Sequence, residues 1–231
     1  MRNVRAPESC TWLAAAGLAA AMASGCGSDS RQVKAPPVEE GAARTSAAVA
    51  ESQAQSIANL KAELIRGNAE IDNVLGTLNK LMNPTTSAAD LRATFDLYSE
   101  QLGRMTQRSE RLRQEAEQMR DARAAYFAKW DAKTSEIDNP SLRASAEERK
   151  ARLRAAHERI TTDALAARDA YDPFMRDLRD VRKFLGGELD PASVRMLGDV
   201  ARQATDDGAV VKQRVNTVIA DLDAVEGTVT R

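Results

Sequence analysis

Side chains that carry protons, hold metals or attack carbonyl carbons are sparse in this chain, and their spacing narrows the chemistry quickly. His157 is the only histidine, which rules out a multi-histidine zinc site. His157-Glu158-Arg159-Ile160-Thr161 lacks the second histidine of a metalloprotease helix, and no Glu stands three residues before His157, as a di-iron bundle requires. His157 falls on a helical stripe, so it is expected at a partly buried seam, bonded to a backbone or acidic group of a neighbour; the alternative is a pH sensor. No Walker loop or dinucleotide glycine fingerprint occurs. The cysteines are Cys10 and Cys26, and Cys26 follows the small residues Ala23-Ser24-Gly25. The thiolate of Cys26, which a cut there would place at a new N-terminus, is a nucleophile for acylation. No catalytic set can be assembled, so no enzymatic activity, metal or cofactor is expected beyond a covalent lipid on Cys26.

The residues before Cys26 support that chemistry. Met1 to Arg5 carries two arginines and Thr11 to Met22 is a short apolar run, so residues 1–25 read as a secretory signal peptide. A spanning helix needs roughly 20 apolar residues, and this run stops short at Cys26. An ordinary signal-peptidase cut near the same place is the alternative, but the small-small-Gly-Cys order resembles the lipobox of bacterial lipoproteins. Acyl chains on Cys26, at about 0.8 kcal/mol per buried methylene, would hold the protein on a membrane. Gly27 and Ser28 resemble the residues after the lipidated cysteine in lipoproteins sorted to the outer membrane, so the expected address is the periplasm-facing cell envelope, outer rather than inner membrane. Cys10 leaves with the signal peptide, and no internal disulfide remains possible. The whole chain has 33 basic and 34 acidic side chains, and losing Arg2, Arg5 and Glu8 leaves 31 against 33. That balance gives nucleic acid no electrostatic footprint.

Positioning falls to long helices. Gly27 to Arg44 contains Pro36-Pro37, charges and small residues without apolar periodicity, so 26–44 is expected as a lipidated cysteine and flexible tether, followed by a bundle domain over 45–231. Ile57, Leu60, Leu64, Gly67, Ile71, Val74, Leu78 and Leu81 share one stripe and predict a helix from about Thr45 to Asn83, ended by Pro84. Ser87 to Asp90 reads as a capping box opening a stripe from Leu91 to Ile137 that includes Ala116, Met119, Arg123, Tyr126, Trp130 and Lys133. Asn139-Pro140 and Asp190-Pro191 each pair an N-cap with a proline at the first helical position. They open a third stripe, Leu153 to Leu185, ended by Gly186-Gly187 as a left-handed C-cap, and a fourth, Val194 to Val225.

The expected fold is all-α: an elongated, antiparallel, up-and-down four-helix bundle with coiled-coil-like packing. Short connections force antiparallel neighbours. Apolar residues beside the seams, such as Leu75, Leu97, Phe127, Leu165, Met175, Phe184, Met196 and Ile219, widen each stripe beyond a two-stranded zipper. The alternative is a pair of helical hairpins that dimerise through the same faces. Pro173 removes one helix hydrogen bond, so the third helix is expected to kink. By register, Gly67, Gly103, Asp172-Pro173 and Gly208 fall in one layer, read either as close packing around the kink or as a hinge or small apolar pocket. Arg143, Arg149, Lys150, Arg152, Arg154 and Arg159 give the start of the third helix a basic bias, read as an ordinary charged surface or as an attraction to anionic headgroups.

The second half of the chain resembles the bacterial lipoprotein family of domain of unknown function 2959. The resemblance rests on Phe127 and Trp130, on Asn139, Ser141, Leu142, Arg143 and Ser145, and on Asp172-Pro173-Phe174 with Leu178, Asp180, Val181 and Leu185. It spans roughly Phe127 to Leu197, and Gly186-Gly187 departs from the more polar turn of the family. It implies a helical, membrane-anchored, periplasm-facing protein and brings no catalytic residue. The expected function is a non-enzymatic scaffold, spacer or interaction module that meets the membrane through its anchor and an envelope protein through its helix faces. The alternative is a carrier or sensor of an apolar ligand near Pro173.

Overall fold

A computed structural model describes residues 38–83 and 87–229, with side chains over 47–83 and 87–228. Five helices follow one another among these residues: α1 (Val38–Met82), α2 (Ala88–Ser135), α3 (Pro140–Gly187), α4 (Pro191–Met196) and α5 (Gly198–Val229). α1 packs along α2 and α5, and α3 packs along α5 and α2. Chain neighbours are therefore neighbours in space, and the four long helices form an antiparallel, up-and-down bundle within one chain. α2 and α3 have 48 residues each, about 72 Å at 1.5 Å per residue.

Local chemistry sets the helix starts. The Ser87 hydroxyl accepts from the Asp90 N–H at 3.4 Å and donates to the Asp90 carboxylate at 2.8 Å. Asn139 Oδ1 accepts from the N–H groups of Ser141 and Leu142 at 3.0 and 3.3 Å. Asp190 Oδ1 accepts from those of Ala192 and Ser193 at 2.6 and 3.1 Å. Each cap satisfies donors that the first turn leaves without a partner.

Three boundaries differ from expectation. α1 begins at Val38, ahead of Thr45, because the run after Pro37 carries helix-forming Glu and Ala although it lacks an apolar stripe. Gly186 and Gly187 are both helical, and Glu188 leaves α3 in an extended conformation. No described residue has a positive φ, so the left-handed cap does not form. The expected fourth helix is interrupted at Leu197. There the N–H of Leu197 bonds back only three residues to Val194 at 3.1 Å, and α5 resumes with Ala201 donating to the Leu197 carbonyl at 2.8 Å. Val194, Leu197 and Ala201 are all buried, so the apolar period runs through the break and conceals it.

The core has two apolar parts. One, toward the α1–α2 connection, gathers residues such as Val74, Leu78, Tyr98, Phe174, Leu178 and Val211. The other, toward the α2–α3 connection, gathers Ile57, Met119, Phe127, Ile160 and Leu222 among others. Full burial of each Leu, Ile or Phe side chain stabilises by about 1.5–3 kcal/mol. Tyrosine hydroxyls tie the α2–α3 seam, with Tyr98 donating to the Leu178 carbonyl at 2.8 Å and Tyr171 to that of Met105 at 3.4 Å. Lys61 joins α1 to α5 through Asp223 at 2.9 Å and Glu226 at 2.6 Å.

Burial corrects the stripes in detail. In the last turns of α2, Phe127 and Thr134 are buried whereas Tyr126, Trp130 and Lys133 are not. The seam there has moved one position along the helix. Ala116 and Ala164 face solvent, as do four of the residues expected to widen the stripes: Leu97, Leu165, Phe184 and Met196. Phe127 and Met175 are buried as expected. Pro173 lies inside α3, so the Asp169 carbonyl lacks the N–H that an uninterrupted ladder would offer it.

Candidate functional site

The proposed layer resolves into separate surroundings. At Gly208 a Cβ would meet Leu75 Cδ1 at 2.7 Å, Phe174 Cε2 at 3.2 Å and Ile71 Cγ2 at 3.5 Å. The missing side chain lets α1 and α3 close against α5, and the space is filled. At Gly67 the nearest group to a Cβ would be Arg108 Cδ at 3.9 Å, while nothing lies within 4 Å at Gly103. Asp172 is exposed and Pro173 partly so. Gly208 and Phe174 are thus brought together, whereas Gly67 accommodates an arginine and Gly103 faces open space.

That arginine belongs to a partly buried charge cluster that the stripes did not reveal. Arg108 passes beside Gly67 and donates to Glu63 at 2.5 Å and to Glu70 at 2.7 Å, one on each side of the glycine in sequence. Arg66 also donates to Glu63 at 2.5 Å. Burial pushes the Glu63 carboxyl up, yet the hydrogen bonds from Arg66 and Arg108 outweigh it and hold the group below its usual range. Glu63 therefore stays ionised at neutral pH, and its pairing with Arg108 ties α1 to α2. Glu63 and Glu70 stand seven residues apart with Arg108 opposite, a spacing that marks one helix face.

His157 is 1% exposed, and neither ring nitrogen has a hydrogen-bond partner among the described residues. The expected polar partner is replaced by the ring of Phe127, edge-on with centroids 5.9 Å apart. Burial, then the Arg123 charge, push its pKa down to about 4, so the imidazole is neutral in the fold. Gln53 on α1 is fully buried, with both amide atoms unpaired among the described residues. It sits four residues before Ile57, and extending the first stripe one turn upstream would have found it. At the α3–α5 seam, burial and then the neighbouring Asp163 carboxyl push the Asp221 carboxyl up.

Most of the basic start of α3 is occupied. Lys150 pairs with Asp131 and Glu147, both at 2.6 Å, and Arg152 with Glu148 at 2.5 Å. Arg154 lies over Phe127 at 5.1 Å and Arg149 over Trp130 at 5.4 Å. These contacts favour the ordinary structural reading of the basic bias. Beside them a cleft of about 330 Å³ opens between α1 and the last turns of α2, with Val49, Ala50, Lys129, Trp130 and Lys133 in its wall together with Ile137, just past the end of α2, and Ala146 of α3.

Residues 1–25, Cys26 and the tether as far as Pro37 lie outside the described residues. Among the described residues no group of three or more His, Cys, Asp or Glu side chains is placed to hold a metal ion, and no helix is long and apolar enough to cross a membrane.

The motif residues behind the family resemblance have visible structural work. Asn139 caps α3, and Arg143 donates from Nε and Nη2 to the Ile137 carbonyl at 2.9 and 2.5 Å. Ser145 bonds back to the Ser141 carbonyl at 3.1 Å. Phe174, Leu178, Val181 and Leu185 are fully buried. Together they build the α2–α3 turn and the face of α3 that enters the core.

Fold and motifs define an all-α bundle protein with two apolar core regions and a specified α2–α3 turn. The chain belongs to the family described as protein of unknown function (DUF2959), whose model matches residues 68–226. That match extends beyond Phe127–Leu197 into α1 and along α5. No curated protein and no solved structure matches the chain.

Proposed function

We propose that this protein is a non-enzymatic lipoprotein of the bacterial envelope, cut before Cys26, lipidated there and held facing the periplasm, with the outer membrane as its favoured site. Its bundle acts as a spacer or scaffold that offers long helix faces to another envelope protein. The observation that carries this reading is the conjunction of a lipidation sequence at Ala23-Ser24-Gly25-Cys26 with a bundle whose central helices each run 48 residues. Length of this kind separates two points in space and supplies extended surface.

A carrier or sensor site at Pro173 has less support, because Leu75 and Phe174 already occupy the space beside Gly208. Crosslinking in living cells tests the scaffold directly. Photoreactive groups placed at exposed positions such as Leu97 and Leu165 should capture a discrete envelope protein; capture of none from any long face contradicts the scaffold role.

A further inference from the structure

We propose that the cleft between α1 and the last turns of α2 binds a fatty acid, with its acyl chain along Val49, Ala50 and Ile137 and its carboxylate at Lys129 and Lys133. The cleft volume of about 330 Å³ lies at the lower end of the ~300–1,000 Å³ typical of small-molecule sites. Its wall is mainly apolar and aromatic and contains no carboxylate. Lys129 and Lys133 are four residues apart on α2, so their ammonium groups rise from one helix face.

Charge accounting at this end of the bundle favours an anionic head. Lys150, Arg152 and Arg154 each have an acidic partner, and Arg149 lies over Trp130 and donates to the Thr228 carbonyl. Lys129 and Lys133 form no ion pair among the described residues. An acyl chain alone would need no cation, and a cationic amphiphile would be repelled. The combination of apolar wall, paired ammonium groups and an aromatic ring selects an acyl chain ending in a carboxylate. This site does not depend on lipidation at Cys26, so either proposal can fail alone.

Trp130 supplies the readout. The chain has two tryptophans, and in the full chain carrying Trp12→Phe all tryptophan emission comes from the cleft wall. Detergent-free titration with dodecanoate, below the concentration at which it forms micelles, should change that emission saturably. Dodecanoate should bind at least about tenfold more tightly than dodecanol, and dodecyltrimethylammonium should not saturate. The Lys129→Gln/Lys133→Gln variant, with its helical circular dichroism intact, should lose that tenfold preference and keep the dodecanol affinity. No saturable response, equal response to all three amphiphiles, or indifference to the lysines would overturn the proposal. So would a lysine-dependent response confined to phosphatidylglycerol vesicles, which would make the lysines a contact for the membrane surface.

Discussion

Two buried residues set the sharpest expectations at the scale of single side chains. His157 has a pKa near 4 in the fold against about 6.5 in an unfolded chain. Below about pH 6.5 the unfolded chain therefore takes up a proton that the folded chain refuses until about pH 4. Its effect on stability is constant above that window, and stability falls as pH drops through it. Denaturant midpoints measured from pH 7 to 4 should fall more steeply for wild type than for His157→Met; parallel curves would mean that the buried imidazole is not what resists protonation. Gly208 and Gly103 make an opposed pair. Gly208→Leu forces a side chain into Leu75 and Phe174 and should cost about 1–3 kcal/mol or more, whereas Gly103→Ala meets open space and should gain up to about 1 kcal/mol of helix propensity. Both are read from urea unfolding. By register these glycines fall in one layer, and they differ because Gly208 lies on the buried stripe of α5 whereas Gly103 stands beside the buried Leu102 and off the stripe of α2.

Helices were legible where apolar period and caps agreed. Ser87, Asn139 and Asp190 mark true starts because each places a side-chain acceptor where early N–H groups need one. Asn139→Ala should cost about 1 kcal/mol and Asn139→Ser much less, with the loss appearing in the unfolding midpoint and in local hydrogen exchange at the start of α3. Other boundaries were concealed by the same periodicity. The break at Leu197 keeps Val194, Leu197 and Ala201 inward, so the pattern reads straight through it. Gly186-Gly187 has the composition of a left-handed cap, yet Asp190-Pro191 already provides the turn chemistry and α3 can run through both glycines. Near Trp130 the sequence offered two adjacent faces, Tyr126-Trp130 on the stripe and that of Phe127 beside it. Packing of Phe127 on His157 selected the second, and the first became the wall of the cleft. The Glu63-Arg108-Glu70 cluster was illegible because its partners lie on different helices and each alone resembles ordinary charged surface.

For the molecule as a whole, the stripes conveyed that four long faces close on one another, and the family match over residues 68–226 takes in the end of α1, all of α2, α3 and α4 and most of α5. They did not convey that the core has two apolar regions or that the α1–α2 seam carries a partly buried ion cluster. The proposed envelope role depends on Cys26 as the attachment point, since the described helices provide no spanning segment and the basic start of α3 is largely engaged in internal contacts. The most direct measurement is fractionation of cells expressing wild type or Cys26→Ala during growth with an alkyne-tagged fatty acid. Wild type should carry the tag and sediment with the outer membrane, whereas Cys26→Ala should carry none, retain its helical circular dichroism and appear in the soluble fraction. A Cys26→Ala protein that remains with the membrane, or a wild-type protein that takes up no tag, would contradict a bundle held by lipid at that residue.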